Sequence, residues 1–229
     1  MLLSHFTDQK TRLFQYLFKV YSKLAITENT DRPFAISSLE QGLGNTFQTH
    51  VKHGVFERYL HRSLSWFLDG DHLGNWQIQY ESQNVPSWSW MRYVGPIDYL
   101  PNTFGDTEWN QDVRLVNGGD ALEAVVNDLC HKRMRPVQSG RACGLLDSRQ
   151  EEAGRIVFDE MNGSMTQESK CVVLGRSAER SPLGTRSYCI LVVVPSFEKG
   201  NGVYRRVGVG YVQTGFIAFS IPGVTSRII

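Results

Sequence analysis

The hydrophobic period of this chain changes once, near Gly74, and that change limits the folds open to it. Ahead of Gly74, apolar residues recur every three or four positions. Phe6, Leu13, Phe14, Leu17, Val20, Tyr21 and Leu24 fall on one face of a helix spanning residues 6–24. Asp31-Arg32-Pro33 breaks the pattern and opens a second helix, residues 34–43, with Gly42 and Gly44 at its end. A third helix is expected over residues 55–68, turning Phe56, Tyr59, Leu60, Leu64, Phe67 and Leu68 inward, and Asp69-Gly70-Asp71 closes it.

Beyond Gly74, β-branched and aromatic runs alternate with Gly, Pro, Asn and Asp. Strands are expected at residues 88–93, 96–100, 112–116, 154–158, 170–174, 188–194 and 204–211. Residues 122–130 suit a strand or a short helix, because short apolar runs do not separate by period alone. Residues 141–146 suit a strand or a loop entry. The charged segment 147–153 and the Arg-, Ser- and Gly-rich segment 176–186 read as exposed loops. No strand–helix–strand alternation occurs, which excludes a doubly wound parallel sheet. The expected class is α+β. A helical segment of about three helices, residues 1–74, packs on a mostly antiparallel β sandwich or barrel, residues 75–229, as two units or one continuous domain.

Composition removes several function classes. Lys and Arg total 24 against 23 Asp and Glu, a formal net charge of +1. A dedicated nucleic-acid binder carries a basic excess or stripe, so no nucleic-acid partner is expected. The four cysteines, Cys130, Cys143, Cys171 and Cys189, form no CxxC pair, which argues against a zinc module or redox dithiol. No run approaches the ~18 apolar residues of a membrane helix, and His5, Asp8 and Gln9 interrupt the start where a signal peptide would be apolar. No membrane partner and a cytoplasmic location are the expectations.

The most distinctive text is Val85-Pro86-Ser87-Trp88-Ser89-Trp90-Met91, followed by Gly95-Pro96-Ile97-Asp98-Tyr99-Leu100. This PSWSW block with its GPIxYL sequel resembles the region downstream of the HET domain in fungal heterokaryon-incompatibility proteins. Other blocks agree in order. Tyr21-Ser22, Ile26-Thr27, Asp31 and Ala35-Ile36-Ser37 look like that family's helical stretch, and His53-Gly54 with residues 64–68 match its next helix. The segments GRIVFD (154–159), CVVLGR (171–176), residues 188–194 and YRRVGVG (204–210) resemble its later strands. The hallmarks of the HET domain itself, a Tyr-Trp-Gly strand and a Trp-Asp segment leading to a cysteine, are not found ahead of Tyr21. Arg92 stands where relatives often carry a small residue. The resemblance implies a non-enzymatic recognition or regulatory module of a vegetative-incompatibility protein. Its partner would be a HET effector domain of programmed cell death, in cis or in trans, or another protein. A truncated product without independent function and a small-ligand-binding β module are the alternatives; a hydrolase ranks last.

Few residues invite a chemical role. Trp88 and Trp90, on one side of an expected strand, either anchor a ligand or partner or pack in the core. Arg92 extends that surface. The basic run Lys132, Arg133 and Arg135, with Arg141 beyond, contacts phosphates or an acidic partner, or is a solvated turn. His50, His53, His61 and His72 lack acidic residues at offsets that would complete a metal site. Cys130-His131 are sequence neighbours and point to opposite faces of a strand. Gly208-Val209-Gly210 lacks the strand–turn–helix context of a phosphate loop, and reads instead as a strand that another backbone approaches closely. No catalytic residue, metal or cofactor is expected.

Overall fold

The computed structural model describes residues 2–70, 77–80, 85–101, 106–130, 135–161, 163–180, 184–196, 199–220 and 223–229. Helix α1 (Leu2–Ser22) precedes α2 (Arg32–Phe47), which starts with Pro33 in its first turn and ends at Gln48, in the left-handed region at φ 54°. Of the α1 apolar residues, Phe14 and Phe18 point fully inward, with Leu17 and Tyr21 half-buried beside them. Leu13, Val20 and Leu24 do not share that face and are exposed.

The expected third helix is broken into short pieces. A two-residue hairpin pairs β1 (Val51–Lys52) with β2 (Val55–Phe56) around His53 and Gly54, both at positive φ. A 3-10 turn (Glu57–Tyr59), a single helical turn α3 (Leu60–Ser63) and β3 (Trp66–Leu68) follow. The physical reason lies in where these side chains go. Val55, Leu60 and Leu64 enter one core, whereas Phe56, Tyr59, Trp66 and Leu68 enter another. One helical face cannot serve two cores.

Strand β4 (Ile97–Tyr99) pairs with β3. The remaining strands are β5 (Thr107–Trp109), β6 (Arg114–Val116), β7 (Ala121–Leu129), β8 (Arg135–Ser139), β9 (Ala142–Leu146), β10 (Glu152–Phe158), β11 (Lys170–Ser177), β12 (Ser187–Pro195), β13 (Val203–Gln213), β14 (Ile217–Ala218) and β15 (Thr225–Ile228). They form one sheet in the order β12-β11-β7-β15-β13, and β12 also pairs with β13, so the ring closes on itself. From β13 the sheet continues through β10, β9 and β8. Among the described strands only the β13–β15 pairing is parallel. The molecule is therefore α+β with a mostly antiparallel barrel. Closure satisfies the edges that an open sheet would expose.

Strand β12 is covered on both sides. Cys189, Leu191 and Val193 enter the barrel interior, while Tyr188, Ile190 and Val192 pack in a third cluster with Cys143, Leu145, Ile156 and Phe158 of β9 and β10. Burial on both faces explains its unbroken apolar run. Gly208 and Gly210 lie within β13 against β10, as a strand under close backbone approach requires. A Cβ on Gly210 would sit 2.1 Å from the Arg155 carbonyl oxygen, and one on Gly208 2.7 Å from that of Val157.

A buried ion pair of the barrel anchors the helical half. Arg206 of β13 and Asp159, just after β10, are both fully buried. The guanidinium donates through Nε and Nη2 to the two carboxylate oxygens at 3.1 Å each. It also donates to the carbonyls of Leu64 (2.8 Å) and Trp66 (2.5 Å), and lies 3.5 Å above the Trp66 ring. Arg141 Nη1 donates to the Asp159 carbonyl at 2.5 Å. The helical half thus hangs its backbone on a cation supplied by the barrel. Replacing Arg206 by Met leaves a buried carboxylate and two carbonyls unpaired, and should cost about 3–5 kcal/mol. Urea denaturation measures it. Arg206→Lys should restore little, because an ammonium cannot reproduce the planar fork; recovery to wild-type stability by Lys would contradict this assignment.

Candidate functional site

The PSWSW block is not a strand. Ser89 Oγ accepts from the Met91 amide at 3.1 Å and donates to the His53 carbonyl at 2.7 Å, and residues Trp90–Arg92 turn as a 3-10 helix. This local capping defeats the two-residue alternation on which a shared face depends. The two indoles consequently separate. Trp88 enters the barrel interior and Trp90 the aromatic core under α1, each at 0% exposure. Neither offers a surface. The block is the seam between the cores, fixed further by the Trp66 indole N–H donating to the Trp88 carbonyl at 2.9 Å.

Trp90 is seated on the hairpin turn. A Cβ on Gly54 would fall 2.1 Å from the indole Nε1, and Gly54 has φ +77°, so only glycine fits there. Phe18 and Tyr21 pack on the ring at 5.4 and 6.1 Å, and the buried Arg32 guanidinium lies 5.9 Å from it. Glu40 of α2 holds the turn from behind, its Oε1 accepting from the Gly54 amide at 2.5 Å.

The remaining candidates scatter. Arg92 donates to the Val85 carbonyl at 2.8 Å and borders a small polar cleft with Lys199 and Arg205. Arg135 opens β8, the outermost strand of the sheet, paired with Leu146. Lys132, Arg133 and the neighbouring His131 lie outside the described residues, as does His72. Arg141 is buried on Asp159 and unavailable to phosphate. His53 stacks edge-on against Trp88. His61 stacks on Trp109 and bonds the Asn110 carbonyl through Nε2 at 2.5 Å. Among the described residues no three His, Cys, Asp or Glu side chains converge as a metal site would require, and all four cysteines are free thiols.

Two features stand out in their place. The first is the outer face of α1. Leu13, Tyr16 and Val20, with Leu24 just past the helix end, follow one another at helical spacing and are 43–64% exposed. Phe34 of α2 is 78% exposed, and α2 is tied to α1 by the Tyr21 hydroxyl donating to the Arg32 carbonyl. The second is a cleft of 510 Å³ where the helical half meets the barrel wall. Phe67, Leu100 and Val157 form apolar walls, and Trp109 and Tyr211 supply rings. Arg62 and Arg155 provide its charge, and Cys189 lies at its base.

The sequence held a partial signal for this cleft. In β10, Arg155 and Val157 share the face opposite the buried Ile156 and Phe158, which marks them as wall residues but not as parts of a cavity. Nothing local announces that Arg62 and Trp109 meet them. Compared with protein-family models, with curated proteins and with solved structures, the chain matches none.

Burial of Glu40 raises its carboxyl to about 7, with the Gly54 amide opposing the shift. An acid whose folded value lies above its unfolded one contributes stability that is full below about pH 4.5 and lost as pH rises through about 7. His53, lowered to about 4 by burial, acts oppositely, its contribution falling away as pH drops from 6.5 toward 4. Glu40→Gln keeps the acceptor for Gly54 and removes the titration. The stability gap between wild type and this variant should therefore shift by about 2 kcal/mol in favour of the variant between pH 5 and pH 8. Urea denaturation of both at each pH reads it; a constant gap would show that the carboxyl titrates normally.

Proposed function

We propose that this chain is a non-enzymatic recognition or regulatory module that docks a protein domain on the outer face of α1. The partner is a HET effector domain, in cis or in trans, as the likeness of the PSWSW–GPIxYL region to incompatibility proteins implies. The observation that carries the reading is the second apolar face of α1. Phe14 and Phe18 already fill the core, yet Leu13, Tyr16 and Val20 present another apolar stripe to solvent. Contiguous apolar surface of this kind marks interaction sites more often than it occurs by chance on a monomer. In the resembled proteins the effector domain lies ahead of this helical stretch, so α1 is the element closest to it.

The arrangement beneath α1 supports a relay. Its inner face contacts Phe56, Trp90 and Tyr99 through aromatic pairs at 4.8–6.4 Å. Lys19 also forms an ion pair with Asp98 of β4. A domain bound outside would press on a helix firmly keyed to the seam.

Binding of the purified chain to a HET effector domain from the same organism, followed by titration calorimetry, tests the reading. A Leu13→Lys/Val20→Lys variant should weaken that complex at least tenfold, as loss of interface anchors does. Its stability should stay within about 1 kcal/mol of wild type, because both side chains are already exposed. Equal binding by variant and wild type, or no binding by either, would remove the proposal.

A further inference from the structure

We propose that the cleft between β3, β5 and the face of β10 and β13 that carries Arg155, Val157 and Tyr211 is a binding site for a small amphipathic carboxylate, with an aromatic or aliphatic body and one anionic head. The inference is independent of the docking face on α1. Its volume of 510 Å³ falls within the roughly 300–1,000 Å³ of small-molecule clefts. The walls are apolar where the body would lie, formed by Phe67, Leu100 and Val157. The Trp109 ring, half-buried and stacked on His61, lines the cleft beside them.

The charge of the site selects the head group. Arg62 and Arg155 both line the cleft, and among the described residues neither has a hydrogen-bond or ion-pair partner for its guanidinium. Arg114, Arg176 and Arg206, by contrast, are ion-paired to Glu123, Glu108 and Asp159. Arg62 is further committed to the site, its guanidinium 5.9 Å from the Trp109 ring. Burial lowers its pKa, with Cys189 and Asp8 opposing the shift, the direction expected of a cation held partly out of water without an ion-paired carboxylate. A carboxylate entering the cleft would supply that counter-ion, and two arginines can fork it. The carboxylate of Glu152, next to the cleft residue Tyr211, accepts from the Tyr211 hydroxyl at 2.5 Å. At the base, burial pushes the Cys189 thiol up to about 12, so it stays neutral and adds no competing anion.

The walls exclude a bare inorganic anion as the preferred occupant, since such an ion would leave the apolar surfaces wet. They exclude an uncharged body equally, since Arg62 would stay unpaired.

Isothermal titration of the full chain with 2-naphthoate, with uncharged 2-naphthamide and with inorganic phosphate tests these statements separately. The expected result is saturable one-to-one binding of naphthoate, at least tenfold tighter than either comparison compound. Arg155→Gln, at an exposed position that leaves the fold intact, should weaken naphthoate at least fivefold while leaving naphthamide unchanged. Arg62→Gln should do so more strongly. The α1 variant Leu13→Lys/Val20→Lys should bind naphthoate as wild type does, which separates this site from the docking face. Absence of naphthoate binding, equal binding of naphthamide, equal binding of phosphate, or wild-type affinity in both arginine variants would each overturn the proposal.

Discussion

Everything in this molecule is arranged around a positive charge that has no contact with water. Arg206 is held by a carboxylate, two main-chain carbonyls and the face of an indole, and each of the four comes from outside its own strand. Taking a guanidinium and a carboxylate out of water costs several kcal/mol per ion, so the pair is tolerable only when every partner is in place. Asp159 requires β10 to be paired, and the two carbonyls require the chain between α3 and β3 to have taken its turn. The Ser87 hydroxyl accepts from the Arg206 amide at 2.9 Å and also donates to the Ile229 carbonyl, so the entry to the PSWSW block and the last strand meet at the same point. Sheet, seam and helical layer are thereby made conditional on one another.

How much of this the amino-acid order reveals depends on the range of the interaction. The first helix, the second helix after Asp31-Arg32-Pro33 and the later strands all rest on local period and appear close to where that period puts them, although the inner face of the first helix takes Phe18 and leaves the expected Leu13, Val20 and Leu24 exposed. The stretch from Val55 to Leu68 misleads because its apolar residues satisfy helical spacing by coincidence while serving two cores. PSWSW misleads differently: a serine hydroxyl bonding two residues on replaces strand geometry with a turn, and no propensity scale carries that information. The cleft lies beyond local reading altogether. Arg62 comes from the end of the helical layer, Trp109 from an early short strand, and Arg155 and Tyr211 from two late ones, and only the closure of the barrel brings them together.

The two surface features proposed as functional occupy chemically unlike places. The α1 stripe is broad, uncharged at its centre and carried by a helix whose other face is locked into rings. The cleft is narrow, cationic and built from the rigid wall of the sheet. A protein partner suits the first because a row of exposed apolar side chains gains by exclusion of water. A small anion suits the second because few groups, fixed by neighbours, determine orientation. They share a link through α3, since Arg62 serves the cleft with its side chain and receives the Gln15 amide of α1 at its carbonyl, 3.1 Å away.

The separation of two tryptophans, two residues apart, into different cores has a consequence for the ancestry of such a chain. The point where helical text gives way to strand text looks like a natural joint, a place where recombination could splice one half onto another. It is not one. The halves exchange core residues across it in both directions: Val55, Leu60 and Leu64 go to the barrel, and Trp90, Met91 and Tyr93 return to the helical layer. Any shuffled descendant would inherit two unfilled interiors at once, so this region can be passed between genes only as a whole.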